Sequence, residues 1–208
     1  MMERMAGSVY KSEDALAMFT SGGDTAVRWP KARWDEEVYY IDDPAAASMG
    51  KTYSVHGAFM DFSEVLCFDN KFFNISTEEA TWMMPEQRLV LETGLATLLK
   101  GGYTRETLRG SEIGVFVGDV GSEELMMPPY TSFSNEGLQG GLTAARLSYA
   151  MDLRGPSSSH DTACSSTLMA LGFAHWKMKA LVDKPLKVAL VSGVNLHMTP
   201  FRYIGLGS

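Results

Sequence analysis

The chain has 208 residues, 45% of them hydrophobic and 21% charged, and a formal net charge of −7 at pH 7. That is ordinary globular material, long enough to bury a sizeable core. The acidic balance and the lack of any Lys/Arg run argue against a nucleic-acid or anionic-membrane surface, and no apolar run approaches the roughly 20 residues of a membrane span.

In chain order, the opening Met1-Met2-Glu3-Arg4-Met5-Ala6-Gly7 lacks an apolar core followed by a cleavage site, so no secretory signal is visible. Ser12 to Phe19 reads as a short helix capped by Ser12. Ser21 to Asp61 is rich in Gly, Pro, Asp and Tyr without a sustained period and reads as loop with short elements. Cys67 lies in the apolar run Val65-Leu66-Cys67-Phe68 and is expected to pack in the core. Pro85 to Leu99 places Leu91, Leu95 and Leu98 at i, i+4 and i+7 before Gly101-Gly102, an amphipathic helix with a glycine C-terminus. Ile113 to Val117, interrupted by Gly114 and closed by Gly118, reads as a buried strand. Gly114 to Gly121 is glycine-rich but does not match a phosphate-cradling loop.

Leu138, Leu142, Ala145 and Tyr149 predict the next helix, ending near Gly155-Pro156. A short strand at Ser158 to His160 then leads into a turn carrying Cys164. From Ser165 to about Ala180 the chain is apolar almost all round, which predicts a buried helix. Lys187 to Val194, broken by Gly193, is a last apolar strand. Strands alternating with helices imply an α/β domain with a largely parallel sheet. No internal repeat is visible. The fourteen methionines read as adaptable core filler.

The chemistry centres on Cys164. Its segment, Ser157-Ser158-Ser159-His160-Asp161-Thr162-Ala163-Cys164-Ser165-Ser166-Thr167-Leu168-Met169-Ala170, passes from polar and turn-prone directly into an apolar helix. Helix N-termini present unpaired N–H groups and the positive end of the macrodipole, so a cysteine there is favoured as thiolate and has oxyanion donors nearby. That suits acyl transfer, and makes Cys164 the more reactive of two thiols if Cys67 is buried. The plain alternative is a structural thiol. Two cysteines make no disulfide framework, and a nucleophile would be lost by pairing, so a reducing compartment, cytoplasm or plastid, is expected. His160, four residues before Cys164, and His175, eleven after it, read as structural, as do His56 and His197. No residues are assigned to a metal.

Asp161-Thr162-Ala163-Cys164-Ser165-Ser166 resembles the nucleophile signature of the beta-ketoacyl synthases, the thiolase-fold condensing enzymes of fatty-acid and polyketide synthesis, most closely the type I polyketide kind. Upstream, Arg33-Trp34-Asp35 with Tyr39-Tyr40, Gly50-Lys51-Thr52-Tyr53, Gly57-Ala58-Phe59, Phe68-Asp69-Asn70-Lys71-Phe72-Phe73-Asn74-Ile75-Ser76 and Pro85-Glu86-Gln87-Arg88-Leu89 resemble that family's N-terminal half in the same order. Leu108-Arg109-Gly110-Ser111, Gly114-Val115-Phe116-Val117-Gly118, Arg146-Leu147-Ser148-Tyr149 and Gly155-Pro156 continue the likeness, which runs from about Met18 to Pro200. Met84 departs from it, standing where the family usually has Asp, which weakens local hydrogen bonding more than chemistry.

The resemblance implies an α/β chain that forms the N-terminal half of a thiolase-like layered αβαβα fold, residues 1–208 being a partial ketosynthase-like domain. The family's first strand, before the position of Ser8, and its C-terminal half, with two catalytic histidines and a lysine, have no counterpart here. None of the four histidines lies in those motifs. The resemblance further implies an acyltransferase in which Cys164 takes an acyl group, its own backbone N–H helping to hold the oxyanion. Decarboxylative condensation with a malonyl thioester comes next. No cofactor is implied, because acyl groups arrive on carrier-protein phosphopantetheine or on CoA. The implied partners are an acyl carrier protein and either a second copy, paired through the Lys187–Val194 strand, or a chain covering the absent half. Docking an acidic carrier would need a local basic patch that the sequence does not show. A ketosynthase-derived protein kept for structure or interaction, without catalysis, is the alternative. A cysteine hydrolase ranks third, since nothing places a paired histidine.

Overall fold

The computed structural model describes residues 2–121, 140–180 and 184–206. The chain divides into two compact units, one of Glu3–Glu64 with His197–Ser208, the other centred on Val65–Leu196. No helix among the described residues is long and apolar enough to cross a membrane.

The Glu3–Glu64 unit is mostly irregular, as its composition implies. A helix at Ser12–Thr20 begins after Lys11, with no side chain bonded across its N-terminus, so Ser12 is the first helical residue and not the cap. Strand β1 (Ala26–Arg28) pairs antiparallel with β2 (His56–Ala58). An aromatic cluster stands in for a larger core. The rings of Trp29 and Trp34 meet edge to face at 5.1 Å, and Tyr203 packs against them at 5.2 and 5.4 Å. Arg33 lies over Trp34 and Phe59 and donates to the His197 carbonyl at 2.9 Å. Its partial burial lowers the guanidinium pKa, because desolvation disfavours charge.

The second unit is built on a parallel sheet of β3 (Gly114–Asp119), β4 (Ser157–His160) and β5 (Ala189–Val194), in the order β4-β3-β5. Central β3 is buried along its whole length, and its side chains alternate between two cores. Val115 and Val117 join Leu91, Leu95 and Leu98 of the Pro85–Lys100 helix and Leu147 of the Thr143–Ala150 helix. Phe116 faces the other way, onto Ala170 and Ala174 of the Ser166–Met178 helix. The result is helix, sheet and helix in three layers, with β3 shared by both cores.

The Pro85–Lys100 helix follows its sequence pattern. Pro85 occupies the first turn, and the helix ends at Gly101, whose N–H bonds back to the Thr97 carbonyl at 2.9 Å. Met84 stands at its N-cap, fully buried and with no side-chain cap bond.

Two helices depart from their sequence patterns. The helix predicted from Leu138 is helical from Thr143, after a 3₁₀ turn at Gly140–Leu142; Leu138 lies outside the described residues. Its buried face is Thr143, Ala144, Leu147 and Ser148, whereas Ala145 is exposed and Tyr149 is 91% exposed. The apolar-only count put the stripe out of phase because this face also buries polar residues: Thr143, whose hydroxyl donates to Asp119 at 2.5 Å, and Ser148, which is enclosed by packing. The Ser166–Met178 helix is not buried all round either. Only Ser166, Ala170 and Ala174 are buried. These small residues, spaced i, i+4, i+8, let it lie close to the sheet, while its large apolar residues point outward, Leu168 70% and Trp176 59% exposed.

Candidate functional site

Cys164 sits in a strand-turn-helix elbow. β4 ends at His160, a 3₁₀ turn covers Ala163–Ser165, and the helix runs on from Ser166. The thiol is exposed and unpaired. The turn is sharp because Ala163 adopts φ 53°, a left-handed conformation that costs an L side chain on the order of 1–2 kcal/mol. Such strain persists only where surrounding bonds hold it.

Those bonds account for almost every backbone N–H of the turn. Thr162 N–H donates to Ser166 Oγ at 2.9 Å and Ala163 N–H to Asp161 Oδ1 at 3.1 Å. Ser165 N–H reaches the Thr162 carbonyl at 3.3 Å, and Ser166 N–H caps onto the Ala163 carbonyl. The Ser165 hydroxyl adds bonds to the carbonyl and the hydroxyl of Thr162, each 2.9 Å. The Cys164 N–H is left without an acceptor among the described residues. An exposed thiol and an unoccupied donor on one residue, at the positive end of a 13-residue helix, are what attack on a carbonyl and stabilisation of the resulting oxyanion require.

Among the described residues, no hydrogen bond joins His160 or His175 to this thiol. His160 lies 2.8 Å from Ser158 Oγ through Nε2, a contact within β4, and its ring stacks on Phe173 of the helix at 4.6 Å. His175 is exposed further along the helix. His56 and His197 belong to the other unit. Cys67 is exposed, not buried in the core: Val65 alone of its apolar run is buried, because the Phe62–Leu66 helix turns only that face inward. The expectation that burial makes Cys67 the less reactive thiol therefore loses its ground.

Sequence reasoning missed the means by which the elbow is seated. β3 and β5 each place a glycine beneath its first helical turn, Gly118 and Gly193, paired across the sheet. In the sequence they looked like ends or interruptions of strands. Ser166, whose hydroxyl spans the turn, stands in the sequence as the last residue of the signature hexapeptide, with no role of its own.

The family model for the N-terminal domain of beta-ketoacyl synthases matches residues 2–208. The pikromycin polyketide synthase component PikAII of Streptomyces venezuelae is 37% identical over 207 residues, covering 97% of this chain and 5% of that protein. The PKS-NRPS hybrid synthetase ATPKS of Aspergillus niger is 32% identical over 209 residues, 97% of this chain and 11% of its own length. Among solved structures, the ketosynthase from module 6 of the bacillaene synthase of Bacillus subtilis superposes with a TM-score of 0.84 at 28% identity, covering 98% of this chain and 33% of that one. The oxazolomycin ketosynthase domain of Streptomyces albus gives 0.82 at 31% identity, 98% and 36% covered. The fold is thus the thiolase-like fold of the ketosynthases, and the chain spans about a third of the solved chains it matches.

Proposed function

This chain belongs to the beta-ketoacyl synthase family, and on that premise we propose that Cys164 is its acyl-accepting nucleophile. The carrying observation is the pairing of an exposed thiol with its own N–H, which has no acceptor among the described residues, at a braced helix start. The Cys164 sulfur attacks the carbonyl of an acyl thioester, and the oxygen becomes an oxyanion met by the Cys164 N–H. Collapse breaks the donor's carbon–sulfur bond. The departing thiolate, phosphopantetheine of an acyl carrier protein or CoA, takes up a proton, and the acyl group remains on Cys164. In polyketide or fatty-acid synthesis the acyl group would then be captured by the enolate that malonyl thioester forms on losing carbon dioxide. The groups that hold that enolate would have to come from outside this site, since His160 is engaged with Ser158 and Phe173.

The test is direct. Incubation with hexanoyl-CoA followed by mass mapping should place a hexanoyl group on Cys164 and not on Cys67, which is also exposed. Cys164→Ala should abolish it. Acylation of both thiols at equal rates would remove the assignment.

A further inference from the structure

Ser166 stands two residues after Cys164, is 3% exposed, and uses its hydroxyl twice. It accepts the Thr162 N–H at 2.9 Å and donates to the Ala163 carbonyl at 2.6 Å. One oxygen therefore ties together the two sides of Ala163, the residue held at φ 53° immediately before the cysteine. Cys164 contributes no bond of its own to the turn among the described residues. A left-handed alanine relaxes unless something opposes it, and a buried hydroxyl with both roles filled is the most enclosed brace available.

We propose that Ser166 is a positioning residue for acyl transfer: its hydroxyl holds the Ala163 elbow so that the Cys164 N–H stays available to the developing oxyanion. This rests on reading Cys164 as the nucleophile. Loss of the hydroxyl frees the Thr162 N–H and deprives the Ala163 carbonyl of its side-chain donor, so Ala163 can leave φ 53° and carry the Cys164 N–H with it. The thiol stays at the surface, still able to react where no oxyanion forms. Ser166 thus bears on one half of the residue's chemistry and spares the other.

Two reactions of the same sulfur separate these halves. Acylation by hexanoyl-CoA passes through a tetrahedral oxyanion, whereas alkylation by iodoacetamide is a displacement at carbon that forms none. In the full 208-residue chain, Ser166→Ala should slow Cys164 acylation at least about tenfold while changing its alkylation less than about twofold. Ser166→Thr, which keeps the hydroxyl, should acylate close to the wild-type rate. Equal losses in both reactions would show that Ser166 supports only the fold or the thiol, and overturn the proposal, as would unchanged acylation in Ser166→Ala. Amide-resolved hydrogen exchange gives a reading independent of acylation: the Thr162 amide should be protected in the wild type and lose that protection in Ser166→Ala. A wild-type chain that cannot be acylated would refute the nucleophile assignment. Unprotected Thr162 in that same chain would refute the brace.

Discussion

Gly118 of β3 and Gly193 of β5 are Cα partners across the sheet, and both make way for one residue, Thr167, in the first turn of the Ser166–Met178 helix. A Cβ on Gly118 would lie 2.4 Å from the Thr167 nitrogen, and one on Gly193 would lie 2.1 Å from Thr167 Oγ1. The helix after Cys164 can therefore lie directly on the sheet, which fixes where the elbow emerges.

The two glycines should respond differently to the same added methyl. At Gly118 the obstructing atoms are backbone, the Thr167 nitrogen and Cα and the Ser166 carbonyl carbon, so Gly118→Ala must lift the helix. A cost of about 1–3 kcal/mol is expected, with loss of Cys164 acylation, and no substitution of Thr167 should recover either. At Gly193 the nearest atoms belong to the Thr167 side chain, so Thr167→Ala should recover most of what Gly193→Ala loses. Urea unfolding of both single and both double variants decides the matter. Rescue of Gly118→Ala by Thr167→Ala would show that the helix is not seated through its backbone.

The buried carboxylate of Asp119, at the end of β3, accepts from the Thr143 hydroxyl at 2.5 Å and from the Gly121 N–H at 2.9 Å. Thr143→Val keeps the shape but removes the side-chain donor from a buried acceptor. A loss of about 1.5–3 kcal/mol is expected in urea unfolding, the range for hydrogen bonds to charged groups. A neutral effect would mean that the carboxylate finds another partner.

Much of this architecture was legible in the sequence. The three strands of the parallel sheet were found because β3 and β5 are apolar runs and the polar β4 leads into the cysteine turn, and the Pro85–Lys100 helix because Leu91, Leu95 and Leu98 keep one face. Composition failed where burial depends on partners. Thr143 and Ser148 are inside because of a tertiary acceptor and close packing, and Tyr149 is outside although aromatic. The outward side chains of the Ser166–Met178 helix looked like core because hydrophobicity does not tell which face meets the sheet; the small residues at 166, 170 and 174 do. Of the site, the cysteine was readable and its supports were not, since a serine bridging Ala163 and two glycines beneath Thr167 acquire meaning only in three dimensions.

On β1, Arg28 Nε donates to Glu36 at 2.7 Å, with a second contact from Nη2. The bond from Arg28 holds the Glu36 carboxyl below the usual carboxylate range, against a smaller opposing effect of desolvation. A lowered folded pKa stabilises above the unfolded value and loses that contribution as pH falls through the folded one, so the pair should help at neutral pH and fade in acid. Because it is exposed, salt should weaken it. The carboxyl carbon-13 shift of Glu36 should titrate at higher pH in Arg28→Gln. An unchanged midpoint would show that the pair does not form in solution.

The apolar side chains of Leu168, Leu171 and Trp176 are exposed on one helix, and water does not cover such surface cheaply. At micromolar concentration the chain should self-associate, and Leu168→Glu with Trp176→Lys should shift sedimentation toward monomer; at a dilution where both proteins are monomeric, thermal unfolding should be nearly unchanged, since neither residue is buried in the single chain. A wild-type chain that sediments as a stable monomer would count against an interaction role for this face.

Acyl transfer and condensation make different demands on this chain. Acyl transfer needs a thiol and an oxyanion donor, the two roles proposed for Cys164. Condensation also needs donors at the malonyl carbonyl, where charge develops as carbon dioxide leaves, and groups that act as a unit cannot be removed without losing most of the rate. Within the Cys164 unit, His160 is taken up by Ser158 and Phe173, and His175 is exposed along the helix. Residues 1–208 alone should therefore accumulate acyl-Cys164 and form little ketoacyl product from malonyl carrier thioester. Supplying a ketosynthase C-terminal half, fused or as a separate chain, should raise product formation in the wild type and not in Cys164→Ala. Product should be followed by mass spectrometry alongside the acyl-enzyme, so that a failure to acylate is not mistaken for a failure to condense. Vigorous condensation by the chain alone would mean that its own histidines serve the reaction, and loss of that activity in His160→Ala or His175→Ala would identify which.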